Sequence, residues 1–491
     1  MTQPTDPSFP KNRFINLLRS VPIQCVGLAL FFWVYHKFLI YSMRNFQINL
    51  GAVNYSRHAV PLYAMPEETY LSWWILPAVV ILFGFLLLCR KLFLQGGVRL
   101  RWRLLIAIAC FIAIGISVAQ IDGYREVDGK PLPAFLESYT RTNMEYYGDA
   151  AKVDEFGFWK FLGDYAKPEV FKAVSGHGQT HPPGGALFLW IASKIFGYSL
   201  LSASLVTIVF TSLTVIPITL LARDLYGESV GRYALALFLI TPNFVMFTTT
   251  SMDGPFGVFP IVGVYLFYKA IHSDRTLFYA ILTGIALAFG MLMTYSTVFI
   301  GVFMGSVGLL TLITHREQFT QLLKIILIAA GAFVVFYLLL FLITGFNLLE
   351  ALWVSVKKDE RGMGTGYETI GRYFHLSFAN LFAFLIGIGI PITAVWIRQI
   401  VATIRRVRTG ATLDTYVVGY LIALVAITFS TLFTMEVERI WIFMVPFIVI
   451  PVAKYLHERC EQRQHTADFY WVAGLLCLQL ILFEVTLYTY W

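Results

Sequence analysis

Glu145 and Asp149 stand four residues apart in "EYYGDAAKVDEF", and Asp154 and Glu155 follow in the same stretch. Carboxylates at that spacing share one face of a helix. A carboxylate placed beside a hydroxyl or an amine can act as a general base. Such acidic runs are also common as solvated helix faces, and the aromatic spacing of Phe156, Phe158 and Phe161 predicts an amphipathic helix lying on a membrane. Downstream comes "SGHGQTHPPGGALFLW", residues 175–190. His177 and His181 are again four apart, as in some metal pairs, but no HExxH glutamate accompanies them, and Gly178 and Pro182 argue against a helix. Pro182 and Pro183 fix φ and remove two donors, while Gly184 and Gly185 permit close backbone approach. The stretch therefore reads as a corner that turns a polar loop into a surface helix, or as one that holds His181 at a lipid head group beside the carboxylates.

Three later segments add candidates. Asp253 lies in "TTTSMDGPFG", where a lone aspartate commonly serves a turn. Lys357, Lys358, Arg361 and Arg372 are interspersed with glycines and read as a flexible basic loop suited to phosphate. Glu436, Glu438 and Arg439 occur in "FTMEVERIWIFMVP", where an arginine can anchor at the membrane interface or grip a lipid phosphate.

The elements that must position these residues are membrane spans. The 491-residue chain is 58% hydrophobic, 16% aromatic and only 13% charged, against about 25% charged in soluble domains. Apolar runs of crossing length are expected near 21–41, 71–88, 104–121, 199–222, 232–250, 254–271, 276–293, 295–314, 323–344, 379–398, 415–433, 440–456 and 468–488, which makes about thirteen transmembrane helices. The first run follows Lys11, Arg13 and Arg19 and reads as an uncleaved anchor. Basic clusters at 89–103, 398–414 and 454–465 fall on one side with the N-terminus if 183–197 lies along the surface, so that side is expected to be cytoplasmic. The long segments 122–182 and 345–378 then lie outside. The first carries ten acidic against seven basic residues, the inverse of a cytoplasmic loop. The net charge of +8 sits mostly in the cytoplasmic loops and requires no nucleic acid. Five cysteines in apolar spans or cytoplasmic loops suggest no disulfide framework. Glu484 is the clear charge within a span. The expected fold class is all-α integral membrane, with external loops carrying amphipathic surface helices.

The acidic loop running into "THPPGG", the later "SMDG" and the late "MEVERIW" together resemble the polytopic GT-C glycosyltransferases. Within them the chain is similar to the bacterial protein O-mannosyltransferase and aminoarabinose transferase group (glycosyltransferase family 39-like). The resemblance spans roughly 104–456, with 1–103 as an N-terminal tail and two extra spans, and 457–491 as a cytoplasmic loop and last span. Those two extra spans depart from the simple pattern, and either Glu145/Asp149 or Asp154/Glu155 could be the family's acidic pair; Asp149 is preferred as the base. The resemblance implies a multi-pass protein of the bacterial inner membrane with its active site facing the periplasm. It implies a polyprenyl-phosphate sugar donor, a lipid, glycan or protein acceptor, and inversion at the anomeric carbon. Arg439, Lys357 and Arg372 would stabilise the leaving phosphate, and His181 and Asp253 would orient substrates. No cofactor is implied as required, although paired carboxylates leave a divalent metal open. A lipid-linked glycan transporter or flippase is the rival reading; it calls for charges or broken helices near the bilayer midplane and a repeat between halves, neither of which is evident in the sequence. A GT-C-like glycan ligase is a further alternative.

Overall fold

The apolar runs fold as helices because a chain in hydrocarbon must satisfy its backbone N–H and C=O groups internally. The computed structural model describes residues 20–489 except 52, 68–71, 128, 143, 250 and 435, together with the backbone but not the side chains of 361–363. Lys11, Arg13 and Arg19 lie outside the described residues, as does the side chain of Arg361. Among those described, ten helices are long and apolar enough to cross a membrane, and twelve if each of two bent pairs counts as one span. The expected thirteen is reached only by adding Thr415–Ser430, at 16 residues short of that length. The helix Gly184–Phe196, with 13 residues, is also too short to cross.

Two expected continuous spans are broken. The run 232–250 consists of Glu228–Phe238 and Pro242–Thr248, bent by 56°, and the run 379–398 falls across Ile370–Gly387 and Ile390–Arg408, bent by 110°. Gly389 at φ +107 makes the second corner, and a Cβ there would collide with Leu476. The break exposes backbone groups that Gln479 satisfies: its Nε2 donates to Ile386 O at 2.8 Å and its Oε1 accepts from Ile390 N at 2.8 Å. Broken helices, absent from the sequence reading, are thus a feature of the fold.

Following the chain through these spans separates two faces. One gathers the basic turns and is tied by ion pairs: Arg103 to Glu228 at 2.7 Å, Lys454 to Asp414 at 2.6 Å and Arg406 to Glu458 at 2.5 Å. The opposite face carries 120–183 and 345–369. There Met65–Pro66 pairs antiparallel with Leu487–Tyr488, and Tyr124–Val127 with Lys130–Pro133. Between the faces the apolar core is centred on the bent Glu228–Phe238 segment and the helix Val445–Arg463, where Phe238, Phe244, Trp441 and Phe447 are fully buried. All five cysteines are unpaired.

The segment 345–378, expected as a flexible basic loop, is instead mostly helical. Asn347 caps Leu348–Met363 by accepting from Leu349 N and Glu350 N, and Thr369 caps the helix at Ile370. Side-chain oxygens at these positions satisfy otherwise orphaned first-turn amides.

Candidate active site

Glu145, Asp253 and Glu436 converge on Arg439 at the loop face. This arginine lies on the short turn of helix Val437–Ile440 and is 5% exposed. Its Nη2 meets Glu436 Oε2 at 2.7 Å, its Nε is 3.6 Å from Asp253 Oδ2, and its Nη1 is 4.0 Å from Glu145 Oε1. Glu145 is the residue preceding the helix Tyr146–Phe156, where the amide dipoles favour a negative charge. Its Oε1 also lies 3.2 Å from His177 Nδ1. Asp253 opens the helix Asp253–His272, so it occupies a helix start instead of the expected turn, and Ser251 Oγ donates to it at 3.0 Å.

The polar stretch before the two prolines forms the opposite wall. Despite Gly178, Gly176–Thr180 makes a helical turn, because Ser175 caps it through Oγ accepting from Gly178 N at 3.0 Å. Asp149 fastens this turn: Ser175 N donates to Oδ1 at 2.6 Å and Ser175 Oγ to Oδ2 at 2.7 Å. A Cβ on Gly178 would strike Asp149, and one on Gly184 would strike the Leu292 carbonyl, so both glycines are close-approach positions. Tyr165 braces the turn from behind, donating to Gly178 O at 2.6 Å and His181 O at 3.1 Å. His181 stacks on Phe256 at 5.7 Å, and its Nδ1 is 3.2 Å from His177 O.

The environment divides the protonation states. Burial alone would raise Glu145, but His177 and then Arg439 outweigh it and hold the carboxyl below its ordinary value. Burial disfavours the charged form of His177, and Glu145 overcomes that penalty, so this imidazole binds its proton more tightly than usual. Burial, reinforced by His177, pushes His181 down to about 3, leaving it neutral. Asp149 is pushed up to about 6 by burial, opposed by its bonds from Ser175.

Of the expected site residues, Glu145, Asp149, His177, His181, Asp253, Glu436, Glu438 and Arg439 are thereby brought together. Glu438 has a different task from phosphate binding: its Oε1 accepts from Tyr63 N at 2.5 Å and Ala64 N at 3.1 Å, clasping the segment before the second span. Asp154 and Glu155 stand apart. Gly157, at φ +78, ends the helix that carries them, so the expected continuous amphipathic helix is two pieces, and both carboxylates point outward. Asp154 bonds to Lys194 and Trp190 at 2.8 Å, and Glu155 to Lys152 at 2.6 Å. Lys357 pairs with Glu360 at 2.7 Å and lies over Trp353, while Lys358 is exposed. Arg372 is buried and pairs with Glu368 at 2.6 Å. The sequence reading missed Ser175, whose position before a turn of helix is an N-cap signal. It also missed Tyr63, whose amide Glu438 accepts and for which no local signal exists.

Two cavities open on opposite faces. One of about 570 Å³ lies at the basic face among Leu225, Phe267, Tyr268, Met304 and Tyr416, away from the charged cluster. Another of about 490 Å³ opens on the loop face among Glu67, Asp122, Tyr124, Arg125, Glu126 and Glu137. Tyr488 links its wall toward the cluster, accepting from Arg141 Nη2 at 2.5 Å and donating to Glu137 Oε1 at 3.0 Å. Among the described residues no group of three His, Cys, Asp or Glu is arranged to hold a metal ion.

Residues 180–343, about a third of the chain, match the family described as dolichyl-phosphate-mannose-protein mannosyltransferase, and in that respect the polytopic helical chain resembles the GT-C-type membrane glycosyltransferases. Among solved structures, ArnT from Cupriavidus metallidurans bound to undecaprenyl phosphate aligns at 14% identity and TM-score 0.46, over 74% of this chain and 62% of that one. The apo Archaeoglobus fulgidus oligosaccharyltransferase aligns at 14% identity and TM-score 0.48, over 80% of this chain and 56% of the other. The chain thus spans less than two thirds of either protein. No curated protein sequence matches it significantly.

Proposed function

We propose that the protein transfers a sugar from a polyprenyl-phosphate donor to an acceptor at the face carrying the charged cluster, with that face external to the bacterial inner membrane. The observation that carries this reading is the buried Arg439 among Glu145, Asp253 and Glu436, at the mouth of an apolar body. A fixed guanidinium suits a leaving phosphate monoester, and carboxylates beside it suit an incoming nucleophile. The acceptor oxygen or nitrogen attacks the anomeric carbon, the bond from that carbon to the phosphate oxygen breaks with inversion, and a carboxylate takes the nucleophile's proton. The isoprenoid tail stays among the spans while phosphate and sugar reach the cluster.

Asp149 and Glu145 are the candidates for the base. Asp149 is pushed up to about 6 by burial but uses both oxygens on Ser175, whereas Glu145 faces His177 and Arg439. The test uses purified protein with a panel of polyprenyl-phosphate sugars and follows release of free polyprenyl phosphate. Turnover of one donor, lost on Arg439→Ala by about 10²–10³-fold, the scale of removing one preorganised stabilising group, is the expected result. The flippase reading draws support from the two broken spans; movement of lipid-linked sugar across proteoliposome membranes without any release of polyprenyl phosphate would favour it instead.

A further inference from the structure

We propose that residues 53–67, ahead of the second span and outside the family-matched region, are a wall of the substrate site, and that Tyr63 selects the sugar-bearing substrate. This rests on the transferase reading.

The segment is held against the cluster at several points. Just ahead of it, Gly51, at φ +74, sits against Thr434, close in sequence to Glu436. Val53 and Val60 bury against Leu376 and Ala379 of the helix Ile370–Gly387. The buried Glu438 then clasps the segment through the amides of Tyr63 and Ala64. His58 stacks on the Tyr63 ring at 4.6 Å with 30° between the planes, and Asn54 N donates to His58 Nδ1 at 3.0 Å. Because Glu438 adjoins Arg439 in the chain, this clasp brings Tyr63 beside the cluster, and burial first and then Glu436 raise the phenol's pKa. An aromatic ring stacked on His58 and held next to Glu438 and Arg439 suits a sugar, which offers an apolar C–H face and a rim of hydroxyls. Glu438 is a positioning residue, acting through the two amides it accepts from.

Donor and acceptor can both carry such a ring, and kinetics separate them. On full-length protein with a donor the wild type turns over, Tyr63→Ala is expected to raise KM for one sugar-bearing substrate about tenfold or more. Its kcat should change less than threefold, and the ranking across the donor panel should shift if the donor is the partner. Tyr63→Phe reports on the hydroxyl alone and serves if the alanine variant misfolds, as judged by thermal unfolding in detergent. Glu438→Leu should reproduce the KM effect, while Glu438→Gln, which keeps an acceptor for both amides, should stay within threefold of wild type, as should Lys324→Ala at an exposed position remote from the segment. Unchanged KM and ranking in both Tyr63 variants, with an active wild type, would overturn this inference and leave the transferase reading standing. Absence of turnover by the wild type with every donor would overturn both.

Discussion

Glu145 and Asp149 separate through their surroundings, and pH can tell them apart. If Asp149 is the base, kcat/KM should rise through about pH 6, where its carboxyl ionises. Glu145, held below its ordinary value by His177 and Arg439, would place that limb at lower pH. Comparing Glu145→Gln and Asp149→Asn profiles assigns the limb, because only the base's substitution abolishes it. Stability carries a second signature. The raised His177 contributes fully below the ordinary histidine value of about 6.5, and this contribution is lost as pH rises through its folded value. The lowered Glu145 contributes fully above the ordinary value of about 4.3, and its share is lost as pH falls through its folded value. Breaking a fully buried pair costs about 3–5 kcal/mol; His177 is partly exposed and Glu145 keeps Arg439, so His177→Ala should cost less than that, lowering the unfolding temperature near pH 6 with a smaller deficit at pH 8.

At the scale of elements, the site depends on breaks in helices that a continuous span would not provide. Gln479 holds the 110° corner by meeting one carbonyl and one amide that the bend releases. Gln479→Leu leaves both unpaired, at about 1–3 kcal/mol for each buried group, and should depress the melting temperature in detergent; an unchanged value would mean the corner holds by packing alone. The turn before the prolines is fitted as closely. Gly178→Ala places a methyl against Asp149, so it should cut turnover at least tenfold if the seating of Ser175 and His177 matters to the reaction. These devices were partly legible in sequence: Pro182, Pro183, Gly184 and Gly185 announced a corner. The bends at 239–241 and 388–389 were not, because a break buried within protein keeps its apolar composition and its satisfaction comes from a distant residue.

For the whole molecule, alternation of spans sends the basic turns to one face and the carboxylates of the Arg439 cluster to the other. A membrane-impermeant thiol reagent applied to intact cells should label Gly129→Cys on the loop face and spare Gly410→Cys on the basic face, both in a Cys110→Ser background. The opposite pattern would invert the orientation and remove the periplasmic site. Composition and run length were sufficient for an all-helical membrane body, since apolar stretches of crossing length have few other fates. Charge distribution alone separated the two faces. The residues of the cluster could be nominated one by one because carboxylates, imidazoles and guanidinium groups are conspicuous in an apolar chain.

Which nominees meet was a matter for the tertiary structure. Asp154 and Glu155 look like Glu145 and Asp149 in sequence, yet a glycine and the partners Lys194, Trp190 and Lys152 turn them outward. Glu438 and Arg439 are neighbours in the chain but face different work, one holding backbone and the other gathering carboxylates. Tyr63 comes beside Glu438 only because that residue, some 375 positions away, accepts its amide. Sequence spacing reports what shares a helix face; contacts across such separations depend on how the helices pack, and packing is a property of the folded whole.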